Sequence, residues 1–314
     1  MTGSIGAHGL YTAIDLAGLP PPQIIAQPDF ETIFAARKAR LIEIAKEAGT
    51  VEYVNALTIA LELESEPLVQ LLQEDSYREL LLRAAIQDAG KGTLLAFARG
   101  AILDHLAAFY NVARQVVQPA DDSVTPPIEE ILEDDDRLRR RVQLAPESFT
   151  TAGSEGSYIF WALAASGQIK DVSVISPAPK EVVITVLSRD GDGDPTQELL
   201  DAVDAESQSR RPLTDLVVVQ KPTIIPYQVH AVLTLYHGPD TEVVRQASES
   251  ALRAYVENHH KLGHDITIAG LHAALWQEGV QNIDLTNFEA DLIVPSSAAA
   301  FCTALTVHVG GRNV

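Results

Sequence analysis

The chain has 314 residues, of which 46% are hydrophobic, with one cysteine and a formal net charge of -20. This length and apolar content permit a substantial core spread over two or three domains, and the lone Cys302 excludes an intramolecular disulfide and any paired-cysteine zinc site. The acidity repels a nucleic-acid backbone, so DNA and RNA are not expected partners, and no run of about 18 apolar residues marks a membrane span.

The N-terminal stretch "MTGSIGAHGLYTAIDL" lacks the basic start and apolar run of a signal peptide, which with the single cysteine fits synthesis in a reducing cytoplasm. Residues 1–28 contain Pro20, Pro21 and Pro22, which forbid a helix and favour extended chain. Leu10, Tyr11, Ile14, Leu16, Leu19, Ile24 and Ile25 make this segment more apolar than a linker, so it is expected to be an arm laid along a partner.

Asp29 is a suitable N-cap, and Phe30, Ile33, Phe34, Leu41 and Ile44 recur at helical spacing after it. The stretch "ALTIALELESEPLVQLLQEDSYRELLLRAAIQDA" reads as two helices meeting at Ser65, with Pro67 in the first turn of the second, where a missing N–H does no harm. A further helix is expected from about Leu94 to Val112. Residues 29–117 therefore form a helical region whose apolar positions are numerous for so few helices. They either fill an internal core or leave a stripe for another subunit, and periodicity alone does not choose.

Residues 118–145 read as a linker and a short helix. Here the basic "RLRRR" of 137–141 directly follows the acidic "EDDD" of 133–136. This is expected to be a solvated helical face, with acids in the first turn as the helix dipole prefers; a phosphate-binding patch is the second reading. Residues 146–221 give a helix at "EGSYIFWALAAS", strands at "DVSVIS" and "EVVITVLS", a helix at "TQELLDAVDAES" and a strand at "LVVVQ". In residues 222–314, Val229, Ala231, Leu233 and Leu235 alternate along a long strand, followed by a helix over 240–260, a strand "DITI", a helix over 269–278, and strands "VQNIDLT" and "FCTALTVHV". The fold class expected is α+β: an N-terminal helical assembly region followed by two small mixed α/β domains.

The candidate chemistry is thin. "NHHKLGHD" gathers His259, His260, His264 and Asp265, and two histidines four apart on a helix are a metal-binding spacing. However, the helix should stop near Lys261, with Gly263 leaving it in a left-handed conformation and Leu262 covering its end, which takes His264 off the face. "DGDGDP" places Asp190, Asp192 and Asp194 as a calcium loop would, but Pro195 stands where that loop needs glycine, so a strand-to-helix turn is expected. "TAGSEGS" at 151–157 lacks the lysine of a phosphate cradle and reads as a helix cap. No nucleophile elbow occurs, and Cys302 sits in an apolar strand. No catalytic residue, cofactor-binding residue or metal ligand is assigned.

Several stretches taken together are familiar. "LTIALELESEPLVQLLQEDSYRELLLR", "LDHLAAFYNVARQVV", "DDRLRRRVQLAPESFTTAGSEGSYIFWAL", "SGQIKDVSVISPAPKEVVITVLSRDGDG" and "HHKLGHDITIAGLHAALWQEGVQNIDL" follow one another in family order, and with them the chain resembles the baseplate J family. These are wedge proteins of contractile-tailed phages and phage-tail-like bacteriocins, or tailocins. The segment "KEAGTVEYVNALTI" departs from the family pattern, which puts the first helix boundary in doubt.

The resemblance implies a non-enzymatic structural protein of the virion. Two copies would pair with a different baseplate wedge protein through a three-chain helical bundle, and wedges would join into a ring around the tail hub, beside sheath-proximal and hub proteins, that rearranges on contraction. Leu61, Leu68, Leu71, Leu72, Tyr77 and Leu80 are the expected interface residues. Assembly would occur in the host cytoplasm, with the mature protein in the tail baseplate. The alternatives are a metal-dependent hydrolase built on His259, His260, His264 and Asp265, or a type VI secretion baseplate component.

Overall fold

The structure, a computed structural model, describes Leu16, residues 19–238 and residues 240–312. The chain divides into two compact units, residues 14–109 and a larger one containing residues 110–312. The class is α+β, as the sequence predicts.

The first unit is helical. Asp29 caps α1 (Phe30–Ala48) by accepting the Thr32 N–H at 2.7 Å. Gly49 and Thr50 end α1 and start α2 (Val51–Ala60), so the region of the uncertain boundary is a break between two helices. After a turn through Ser65 comes α3 (Pro67–Gly92), with Pro67 in its first turn as expected, and then α4 (Gly100–Ala108). The helix expected over 94–112 is shorter at both ends: residues 94–99 form turns, and Gly100 has a φ of 52°. The core is small, built on Phe34, Leu61 and Val69 with Phe30, Leu41, Ile42, Leu57, Leu68 and Leu72 against them.

Of the N-terminal arm, Leu10, Tyr11 and Ile14 lie outside the described residues. The part from 20 to 28 is laid along this chain's own α3. Gln87 does the holding: its Oε1 accepts the N–H groups of Ile24 (2.9 Å) and Ile25 (3.2 Å), and its Nε2 donates to the Pro22 carbonyl at 2.7 Å. Here the buried amide side chain takes the place of a neighbouring strand.

In the larger unit the expected linker carries structure. β1 (Val116–Gln118) pairs antiparallel with β2 (Ile131–Leu132), followed by α5 (Asp135–Leu144). Next come α6 (Glu155–Ala165), β3 (Ile169–Ile175), β4 (Glu181–Ser188), α7 (Gln197–Arg210) and β5 (Leu216–Gln220). β3 and β4 are antiparallel neighbours, whereas β4 and β5 are parallel, so α7 serves as the crossover that parallel strands require. α6 packs on β3 and α7 on β5, closing a core of Ile159, Leu163, Val172, Ile184, Val186 and Val203.

The last sheet has the order β7-β6-β8. Its centre is β6 (Thr223–Leu235), flanked antiparallel by β7 (Val280–Leu285) and parallel by β8 (Ala298–Arg312). α8 (Thr241–His259) and α9 (Ile268–Leu275) accompany it, and the alternating Val229, Ala231, Leu233 and Leu235 are buried with Leu252, Ile266, Leu271 and Leu275. Two expectations change. "DITI" is not a strand, because Ile266 makes a single bridge to Leu292 and Thr267 already caps α9; and β8 starts at Ala298, earlier than the apolar run suggested.

Candidate functional site: an apolar helix surface and two polar knots

The side chains of α3 are distributed over three directions. Val69, Ser76 and Gln87, spaced by whole turns, form its buried face. Leu71, Leu82 and Ile86 recur along one flank, and Tyr77 and Leu81 along the other, all of them exposed; Leu82 reaches 64%. α2 has no buried residue, and its Val51, Tyr53 and Ile59 are exposed as well. A helix that is apolar on several sides is a helix made for several neighbours.

Among the expected interface residues, Leu61 is 3% exposed and Leu68 and Leu72 pack beside it in the internal core. Leu80 is half-buried, while Leu71 and Tyr77 stand in solvent. The residues quoted from sequence therefore divide between core and surface, and Leu81, Leu82 and Ile86 extend the surface set.

The histidine cluster is pulled apart by its backbone. α8 ends at His259, His260 is its cap, and Gly263 has a φ of 69°, the left-handed conformation expected of it. It sits three residues beyond the cap, in a turn whose N–H donates to the Ala298 carbonyl at 3.0 Å. Leu262 bridges Ala299 and is buried. His259 stacks on Tyr255 with ring centroids 4.0 Å apart and meets His264 edge-on at 6.0 Å, whereas His260 is bound elsewhere and Asp265 accepts the Val294 N–H at 2.7 Å. Among the described residues no group of His, Cys, Asp and Glu is placed to hold a metal ion.

The other sequence candidates are also structural. In "DGDGDP" the Asp190 carbonyl accepts the Gly193 N–H, Asp194 pairs with Lys221 at 2.8 Å, and Thr196 caps α7, which makes the stretch a strand-to-helix turn. In "TAGSEGS", Ser154 caps α6 by accepting the Ser157 N–H and donates its own hydroxyl to Glu147. Burial raises the Cys302 thiol's pKa, which keeps it protonated and poorly nucleophilic.

The basic cluster corrects the sequence reading. Asp134 caps α5, with Asp135 and Asp136 in its first turn as expected, but Arg137 and Arg141 are buried rather than solvated. Glu133, Arg137 and Arg141 stand one turn apart on the inward face, and the Glu133 carboxylate accepts from both guanidinium groups, Arg141 at 2.5 Å. Arg137 also donates to the carbonyls of Leu163 (3.1 Å) and Ser166 (2.8 Å), where the end of α6 leaves acceptors unpaired. The same carboxylate accepts the Gln115 N–H at 3.0 Å, so the residues around β1, α5 and α6 are tied at one point. Burial, set against the attraction of Glu133, brings the Arg137 pKa down to about 10, which leaves it charged at neutral pH. Neither buried arginine is available to an external phosphate.

Comparison with known proteins adds the decisive fact. The baseplate J-like N-terminal domain model matches residues 64–121, and the baseplate J-like central domain model matches residues 150–221. Over 302 residues the chain is 42% identical to baseplate protein J of Escherichia phage P2, covering 96% of this chain and 99% of that protein. The chain belongs to the baseplate J family. Its N-terminal family match begins just before α3 and includes both of that helix's exposed flanks, and its central match spans α6, β3, β4, α7 and β5. A chain in the cryo-EM structure of the anti-feeding prophage (AFP) baseplate, 6-fold symmetrised, is similar with a TM-score of 0.40 and 14% identity over 62% of this baseplate J-family chain, which spans 49% of that chain's length.

Proposed function

We propose that the chain is a structural wedge subunit of a contractile-tail baseplate, non-enzymatic, assembled in the host cytoplasm and carried in the mature tail. Its α3, with α2 beside it in sequence, supplies a helix to a bundle completed by a second copy and by a different wedge protein. The observation that carries this reading is the pair of exposed apolar flanks on α3, Leu71, Leu82 and Ile86 on one side and Tyr77 and Leu81 on the other. One buried face serves the chain's own core, and two flanks remain for two neighbours. Baseplate protein J of phage P2, at 42% identity, supports the location. In this reading residues 29–117 form the assembly region, and 146–221 and 222–314 are two domains that carry contacts between wedges, rearranging when the sheath contracts.

The test is co-expression with the other baseplate proteins of the same tail, followed by native mass spectrometry. The expected result is a complex holding two copies of this chain and one of a second protein, with interfaces of roughly 800 Å² per partner or more. A chain that stays monomeric with every one of them would sink the wedge reading.

A further inference from the structure

Three segments of the 110–312 unit meet at one imidazole. His260 is 6% exposed at the end of α8. Its Nε2 lies 3.1 Å from the carbonyl oxygen of Asp192, in the turn between β4 and α7, and its Nδ1 lies 3.1 Å from Nζ of Lys170 on β3. A carbonyl oxygen can only accept and an ammonium can only donate. The ring satisfies both when Nε2 carries its single proton and Nδ1 is bare, so the surroundings select the neutral Nε2–H tautomer.

The charged groups around the ring are few. Lys170 of β3 faces Nδ1 and is paired with Glu257 of α8; the Asp192 carboxylate belongs to the turn, and Arg189 opens that turn and acts on Glu257. Phe301 of β8 lies against the ring at 5.3 Å between centroids and brings no charge. Gly193 fits the turn closely against the ring, since a Cβ there would fall 3.1 Å from Nε2 and 2.4 Å from a Leu187 methyl, and its φ is 97°. Nearby, the Leu262 N–H donates to Asp171 Oδ2 at 3.0 Å while Arg140 holds the other oxygen of Asp171. A second proton on His260 would have to sit on Nδ1, directly against the Lys170 ammonium, and would replace an accepted hydrogen bond by two cations in contact.

We propose that His260 is a proton-sensitive latch: as a neutral ring it ties the 189–194 turn and β3 to the end of α8, and protonation at Nδ1 releases that tie as the pH falls. Burial first, and Lys170 second, hold the imidazole's pKa below its ordinary value of 6.5. The closed joint therefore takes up a proton less readily than the open one. The tie is complete above pH about 6.5 and weakens below it, with the opening equilibrium rising by up to about tenfold per pH unit until the closed form itself titrates. This inference does not depend on the baseplate reading.

The experiment is hydrogen exchange on the full chain between pH about 7.5 and about 5.5, corrected for intrinsic rates, read at the amides of Gly193 and Leu262. Protection is expected to fall with pH in the wild type and to stay flat in His260→Gln, whose amide keeps one donor and one acceptor but does not titrate. An equal fall in both proteins, or none in the wild type, would overturn the latch. Should the variant fail to fold, side-chain nitrogen NMR of the wild type decides: the latch requires an Nε2–H tautomer at neutral pH and titration below 6.5. An Nδ1–H tautomer, or titration at or above 6.5, refutes it.

Discussion

Glu133 holds Arg141 at 2.5 Å with both side chains almost wholly removed from solvent. The same carboxylate is the partner of Arg137, so one negative charge answers two positive ones in the interior. Removing it strands both. Glu133→Gln, which keeps the shape and deletes the charge, is expected to destabilise the chain by roughly 3–5 kcal/mol, the cost of breaking a buried ion pair on one side. Urea denaturation would check this, and a loss below about 1 kcal/mol would mean that the arginines find other acceptors.

The flanks of α3 can be tested separately. Leu71→Ser with Leu82→Ser strips one flank, and Tyr77→Ser with Leu81→Ser strips the other; all four residues are exposed. Because each change is at the surface of this chain, its own stability should move by no more than about 0.5 kcal/mol per site. Assembly should suffer far more, each pair costing at least about 2 kcal/mol of binding as buried anchors do, with a different partner lost in each case. Native mass spectrometry of the two variants reads this directly, and a pair that lowers the melting temperature instead would assign its flank to the internal core.

These two regions mark the limits of what the sequence made legible. Asp29, Pro67 and the alternation from Val229 to Leu235 each state a local rule that the fold obeys: a cap, a helix start and a strand with one buried face. Glu133, Arg137 and Arg141 also repeat at helical spacing, but charge was taken to mean solvent, and only the arrival of β1 and α6 from elsewhere in the chain reverses that. Ala298, Ala299 and Ala300 have little strand propensity of their own and become strand because β6 is there to pair with. Leu61 and Leu82 are alike in sequence, and only tertiary packing sends one inward and leaves the other outside.

Gln87 offers a third prediction. Its amide makes three hydrogen bonds to the backbone of residues 22–25, and Ile24 lies where a side chain on Gly90 would be. Gln87→Leu should release the extended segment at a cost of about 2–3 kcal/mol, near the sum of three net hydrogen bonds. Limited proteolysis should then cut between residues 19 and 28 at least about tenfold faster, with α1 and α3 intact. An unchanged cleavage rate would show that apolar contacts hold the segment without the clamp.

Gly263 and His264 are adjacent and should behave differently. With φ at 69°, Gly263→Val forces a branched side chain into left-handed backbone, at a cost of about 1–2 kcal/mol or more. His264→Ala leaves that backbone untouched and should cost less. Paired thermal melts would settle the order, and equal effects would mean that the turn after α8 does not depend on its glycine.

β6 and β8 run parallel and stay in register from Thr223 with Ala298 to Leu235 with Arg312, apart from two bulges. In a parallel pair the start of one strand and the end of the other lie at opposite ends of the ladder. A pull applied between Thr223 and Arg312 would thus load the ladder along its length, and its hydrogen bonds would share the force instead of parting one by one. In a machine that works by a sudden mechanical stroke, this is the part of the chain suited to transmitting tension while other joints give way.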